Sequence, residues 1–160
     1  VTTGSGITAA GLALGFKHLG LPTRVVGISS NSSSTFLAER MVQYAGRASN
    51  RVGLTTHLDA RDFDVLDAYV GPGYGKGYPE VFETIRMVAR EEAILLDPVY
   101  TGKCMTGLID QVEKGHVNKG ASVVFLHSGG GPNLFAQSEE LLTGVSKSGA
   151  TMDPPGLGVA

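Results

Sequence analysis

Thr3-Gly4-Ser5-Gly6-Ile7-Thr8 stands between a short extended stretch and the start of a helical pattern, where the backbone itself can bind a ligand. The first N–H groups of a helix lack internal partners and its N-terminal end is positive, so such a turn favours an anion, phosphate above all. A tight strand-to-helix turn without a ligand uses the same residues. With Ala9 the run also satisfies the Gly-x-Gly-x-x-Ala dinucleotide fingerprint, which requires an acidic residue after the next strand to hold a ribose. Ser29-Ser30-Asn31 occupies that point and no acidic residue precedes Glu39, so the pattern points to a phosphate without a ribose.

Further along, Asp97-Pro98-Val99-Tyr100-Thr101-Gly102-Lys103 follows the apolar pair Leu95-Leu96. Tyr100 and Thr101 are therefore expected at the carboxyl end of a strand, where sheets with helices on both faces bind ligand, while Asp97 caps or turns the chain. His127-Ser128-Gly129-Gly130 sets a small hydroxyl beside glycines that admit a flat ligand, or that form a turn stabilised by Ser128. Gly71-Pro72-Gly73-Tyr74-Gly75-Lys76 fails as a nucleotide P-loop, being one residue short and lacking the Ser or Thr for magnesium. It is either a flexible turn or a loop that holds the Tyr74 ring in a site. No metal is expected: His18, His57, His116 and His127 are widely spaced and Cys104 is solitary. A Gly-x-Ser-x-Gly nucleophile elbow is also missing from the sequence.

These loops need elements to position them. Ile7, Ala10, Gly11 and Leu14 recur at helical spacing until Gly20 and Pro22, which predicts a first helix over Ile7 to Leu19. Arg24 to Ser29 has the composition of a buried strand. Ser33 or Ser34 caps a second helix with Leu37, Met41, Tyr44 and Ala45 on one face. A third starts at Pro79, with Phe82, Ile85 and Ala89 on its apolar side, and Ile94-Leu95-Leu96 reads as a strand. Met105, Leu108, Ile109 and Val112 mark a fourth helix ending near Gly115, before a strand over Ser122 to His127. Strand and helix in alternation predict an α/β fold, an open parallel sheet with helices on both faces in three αβα layers. The glycine clusters at Gly4 to Gly6, Gly71 to Gly77 and Gly129 to Gly131 each follow a strand-like segment, so their loops are expected to converge on one pocket.

At 160 residues and 42% apolar content the chain suits one packed domain. A formal charge of -2 with scattered basic residues offers no footprint for nucleic acid or an anionic membrane, which leaves small molecules or protein subunits as partners. No apolar run approaches bilayer length, and one cysteine cannot form an internal disulfide, so a cytoplasmic setting is the expectation. The chain opens on Val1-Thr2-Thr3-Gly4 without an initiator Met, as if entering mid-domain.

Taken together, Thr3 to Gly11, Tyr69 to Gly75, Asp97 to Lys103 and Phe125 to Gly130 resemble, in order and spacing, the D-cysteine desulfhydrase and aminocyclopropane-carboxylate deaminase family. That family belongs to the tryptophan-synthase-β-like enzymes that use pyridoxal 5'-phosphate. The likeness implies a C-terminal portion of such an enzyme over residues 1–136, incomplete as a fold, with 137–160 as an irregular tail. It further implies that Gly4, Ser5, Gly6, Ile7 and Thr8 cradle the cofactor phosphate, Ile7 standing where the family often has glycine. Tyr74 and Tyr100 match the two active-site tyrosines, over the cofactor and near the reacting carbon. Where Thr101 and Ser128 stand, deaminases of the family carry Glu and Leu, whereas desulfhydrases carry small hydroxyl residues.

The resemblance thus favours β-elimination: D-cysteine loses its α-proton and expels sulfide, and hydrolysis yields pyruvate and ammonia. A hydroxyl at Ser128 suits that reaction, because it leaves the cofactor's pyridine nitrogen largely unprotonated and the electron sink mild. Aminocyclopropane-carboxylate deaminase and cysteate sulfo-lyase are the alternative activities, and a homodimer is implied. The family's cofactor-binding lysine and its Ser-Asn-His type segment have no counterpart here, and neither Lys103 nor Lys76 matches that lysine. An inactive isolated chain, or a non-catalytic fragment or pseudoenzyme, is the reading of another class.

Overall fold

The structure, a computed structural model, describes residues 1–143. Its strands β1 (Thr2–Thr3), β2 (Val26–Ser29) and β3 (Asp64–Leu66) form one parallel sheet in the order β1-β2-β3. In register, Thr2 lies opposite Ile28 and Thr3 opposite Ser29, while Val26, Gly27 and Ile28 face Asp64, Val65 and Leu66. Gly27 is required by the close approach of β1: a Cβ there would come 2.5 Å from Thr3 Oγ1.

Alternation along the strands divides the core between two faces. Val25 and Val65 pack with helices α1 (Ile7–His18) and α2 (Ser34–Arg51), in a cluster centred on Ala9, Ala10, Leu14, Leu37 and Met41. Val26, Ile28 and Leu66 point to the other face, against Tyr69 and Cys104 of helix α4 (Thr101–Glu113). Helix α3 (Pro79–Glu92) packs on α4 through Val81, Ile85 and Val88 with Leu96. The fold is thus the expected parallel sheet between helical layers. Gly102 and Gly107 let α4 sit close, since a Cβ at Gly102 would lie 2.6 Å from Asp97 O and one at Gly107 2.9 Å from the Tyr69 ring.

Several sequence expectations need correction. Ile94 to Leu96 and Ser122 to His127 form no strand, because neither has a ladder partner among the described residues. The segments are tied to each other through His127 Nε2 and Leu95 O at 2.9 Å, and Phe125 packs into the core while Leu95 and Val124 stay exposed. Helix α1 buries Ala9, Ala10, Ala13 and Leu14 rather than a face containing Ile7 and Gly11, which are exposed: the small side chains allow close packing on α2. Helix α4 begins at Thr101, earlier than its apolar pattern indicates, and buries Thr101, Lys103, Cys104 and Gly107 rather than Val112.

Past residue 136 the expected irregular tail starts instead with a short helix. Helix α5 (Pro132–Ala136) leads into α6 (Ser138–Leu142), which docks on α3 with Arg86 Nη1 donating to Leu141 O at 2.9 Å. The Asp153-Pro154-Pro155-Gly156 run lies outside the described residues. Among the described residues, no helix is long and apolar enough to cross a membrane.

Candidate active site

The site is built where β1 ends and α1 begins. Gly6, the N-cap of α1, has a left-handed backbone (φ +91°), and a Cβ on it would fall 2.6 Å from Met41 Cγ, so only glycine serves. No side chain caps this helix and its first turn holds no acidic residue, which leaves the N–H groups of the Ile7-Thr8-Ala9 turn directed at an anion position. Ser5 Oγ is at the limit of hydrogen bonding to Ile7 N, 3.5 Å.

Asp97 builds the second wall. It is buried, and its carboxylate accepts from Val99 N (2.9 Å), Tyr100 N (3.0 Å), Thr101 N (2.8 Å) and Thr101 Oγ1 (2.8 Å). This closes the turn into α4 and delivers Tyr100. The hydroxyl of Thr101 is wholly engaged there, since it also accepts from Asp97 N at 2.9 Å, and Thr101 is fully buried rather than part of the cavity wall.

Tyr74 arrives from the glycine loop. Its hydroxyl makes a short hydrogen bond with that of Tyr100, the rings meeting edge to face with centroids 6.0 Å apart. That bond, aided by burial, pushes the Tyr100 phenol up to about 12, so Tyr100 holds its proton at neutral pH.

The third wall is Ser128, Gly129 and Gly130. Gly130 (φ +102°) lies so near Asp97 that a Cβ would come 2.4 Å from Oδ1. Gly4, Ser5, Gly6, Ile7, Thr8, Tyr74, Tyr100 and Ser128 thus line one cavity of about 450 Å³, into which the three glycine loops converge as their order along the chain implied.

Two lining residues, Asn31 and Thr2, were missed in the sequence. Asn31 also lines the cavity, at the point where a dinucleotide site needs its acid. Thr2 Oγ1, on the cavity wall, and Ser30 Oγ, 3.3 Å from where a Gly4 Cβ would be, are buried without any hydrogen-bond partner. Buried hydroxyls of this kind are costly unless a ligand satisfies them, and with the uncapped helix they fit a phosphate-bearing cofactor. The signal for Thr2 was its place in the strand leading into the glycine turn, which could have been read.

A second hollow, about 510 Å³, opens at the other ends of the strands, beside Arg24 and Asp64. Its charges are paired, Lys17 with Asp62 at 2.8 Å, Arg24 with Asp64, and Arg61 with Asp59 outside the hollow.

Residues 1–129 match the family model of pyridoxal-phosphate dependent enzymes. Curated relatives include a D-cysteine desulfhydrase of Salmonella paratyphi C (strain RKS4594), 36% identical over 136 residues, or 85% of this chain and 40% of the relative. The D-cysteine desulfhydrase of Salmonella typhi is 35% identical over the same length and shares. A crystal structure of an ACC deaminase homologue superposes with a TM-score of 0.80 at 35% identity, covering 89% of this chain and 42% of that one. The chain therefore spans about 40% of the length of the curated relatives it matches.

Proposed function

The chain belongs to the pyridoxal-phosphate dependent enzymes, and from that membership we propose that it is part of a lyase that eliminates sulfide from D-cysteine. The observation that carries this reading is the convergence of an uncapped helix terminus, a tyrosine pair and Ser128 on one cavity. Bound pyridoxal phosphate supplies an electron sink that makes a substrate α-proton acidic.

This chain's own residues do the rest. The N–H groups that open α1 and the hydroxyls of Thr8 and Thr2, all at the cavity, would hold the phosphate, and Gly6 takes the left-handed turn that starts the helix there. Ser128, a neutral hydroxyl on the cavity wall, would serve the ring nitrogen and keep the sink mild; sulfide is a good leaving group and requires no more. Tyr100 keeps a proton at Oη and shares a hydrogen bond with Tyr74, so the pair would hold and exchange a proton at the cavity wall. Thr101, although buried, fixes Asp97 and through it Tyr100, a supporting role in place of direct contact.

The lysine that anchors the cofactor is proposed to come from sequence beyond these residues, as the share of the relatives matched suggests. Lys103 is already committed to two backbone carbonyls and Lys76 is exposed on a loop. A homodimer in the cytoplasm completes the reading.

The test is turnover by the product of the complete reading frame, loaded with cofactor and offered D-cysteine or aminocyclopropane-carboxylate. Sulfide and pyruvate in equal amounts from D-cysteine, with no ammonia from the cyclopropane, are expected. Ammonia from the cyclopropane alone would reassign the chain as a deaminase. No product from either, and no phosphopyridoxyl adduct in the intact mass after borohydride reduction, would identify a non-catalytic protein.

A further inference from the structure

The middle of the loop that carries Tyr74 has little packing of its own, since a Cβ at Gly73 or Gly75 would meet nothing within 4 Å. Gly71, Gly73 and Gly75 have φ of 63°, 128° and 78°, a backbone region that glycine alone adopts freely, and Tyr74 itself is 59% exposed. What holds the loop is polar and comes from two sides. Lys103, fully buried on α4, extends its ammonium to Val70 O (2.7 Å) and Gly73 O (2.9 Å). Gln137, between α5 and α6, donates Nε2 to Gly75 O (3.0 Å) and accepts from Gly77 N through Oε1 (2.8 Å). Two of the three anchored carbonyls, those of Gly73 and Gly75, belong to the residues directly before and after Tyr74.

We propose that Lys103 and Gln137 are positioning residues, clasping the Gly71–Gly77 loop so that Tyr74 stays hydrogen-bonded to Tyr100. Neither lines the cavity, so neither acts on substrate directly. Their placement couples the site's walls: Lys103 lies on the helix that Tyr100 begins, and Gln137 follows the segment that carries Ser128. A lysine buried this deeply needs strong acceptors, and burial holds its ammonium below the usual lysine range even with Asp97 nearby. An uncharged, flexible residue would fill the space at lower cost, which points to a role for the two carbonyl bonds. The effect on catalysis rests on the lyase reading; the effect on loop order does not.

Gln137 holds the N–H of the Lys76–Gly77 bond, so trypsin cleavage at that bond reports the clasp without cofactor or substrate. In the full-length protein, Gln137→Ala should raise cleavage after Lys76 about tenfold, the change in open population that losing two hydrogen bonds produces. Cleavage after Lys114, at the end of α4, should stay as in the parent, and Tyr74→Phe should leave the Lys76 rate within about twofold. Lys103→Met keeps the side-chain volume and should act in the same direction; if it fails to fold, Gln137→Ala alone decides. The ¹³Cζ resonance of Tyr100 should move in Gln137→Ala as it does in Tyr74→Phe, and the double variant should move no further. Where the protein turns substrate over, kcat should follow the same non-additive pattern with KM little changed. An unchanged Lys76 cleavage rate in Gln137→Ala, or additive effects with Tyr74→Phe, would overturn the proposal. If cleavage and the Tyr100 resonance respond while no substrate is turned over, the clasp stands and the lyase reading falls.

Discussion

Asp97 sits at the centre of the site's geometry, and its removal gives a sharply graded expectation. In Asp97→Ala, the N–H groups of Val99, Tyr100 and Thr101 and the Thr101 hydroxyl lose an acceptor they meet at 2.8–3.0 Å in a buried turn. Each buried unsatisfied donor costs about 1–3 kcal/mol, and relaxation of the turn keeps the total near about 4 kcal/mol. Asp97→Asn retains one oxygen, which serves either the Val99 and Tyr100 donors or those of Thr101 but sets an amide NH₂ against the other pair. It should therefore cost about 2 kcal/mol. Urea unfolding followed by far-UV circular dichroism, at constant m, reads both numbers. Gly130 supplies an internal control, since its Cβ would strike Asp97 Oδ1 at 2.4 Å. Gly130→Ala should cost at least about 2 kcal/mol in the parent protein but only about 1 kcal/mol, the left-handed backbone strain, in the Asp97→Ala background. Asp97→Ala within about 1 kcal/mol of the parent, or Gly130→Ala equally costly in both backgrounds, would refute the view of Asp97 as the organiser of this wall.

Other expectations follow from single contacts. Tyr100→Phe should lower kcat for elimination by about 100-fold while changing cofactor affinity by less than about threefold; equal losses would assign Tyr100 to packing. Ser128→Glu should move the cofactor absorbance toward the protonated ring and cut sulfide release by about tenfold or more, and unaltered turnover would remove Ser128 from that role. Asp67 accepts from Ser34 N at 2.6 Å at the start of α2, and that bond holds its carboxyl below the usual range. Asp67→Ala should cost about 1 kcal/mol at neutral pH. A depressed carboxyl stabilises above its unfolded value, so the gap between parent and variant should be full above about pH 4 and close as pH falls through the native value. A gap that widened in acid would contradict the capping role.

Much of this was legible in the sequence because the carriers are local. A glycine turn before a helix, a β-branched strand and a Ser cap each encode their own conformation within a few residues, so β2, α1 and α2 emerge near their expected places. The convergence follows only in part: parallel strands put the loops after β1 and β3 on one side, whereas Gly129 to Gly131 reaches the cavity with no strand before it. What was not legible depends on partners distant in sequence. Ile94 to Leu96 has a strand's composition, but a strand exists only with a ladder neighbour. The side chain of Thr101 was expected at the cofactor, but its hydroxyl is drawn back onto Asp97 by a bond no pattern of residue types announces. Nothing in the residue types marks Lys103 as buried, yet it is fully so, because Val70 and Gly73 bring two carbonyls to it from 33 and 30 residues away.

The glycine turn alone could not identify its ligand. A helix terminus offers N–H groups to any phosphate, and the choice between a dinucleotide and a smaller cofactor is made one strand away. There Ser29 spends its hydroxyl on the turn itself, accepting from Asn31 N (3.3 Å) and Ser32 N (3.1 Å) and donating to Ser32 O (2.7 Å). The turn so fixed directs Asn31, which is neutral, to the cavity wall, where a ribose would need a carboxylate. Asn31→Asp is thus the substitution that should separate the two ligands. It places a negative charge in the cavity beside the anion position, so it should weaken pyridoxal phosphate by about tenfold or more, an effect that fades with added salt. Unchanged affinity at low salt would mean that Asn31 lies outside the reach of the bound cofactor's charge.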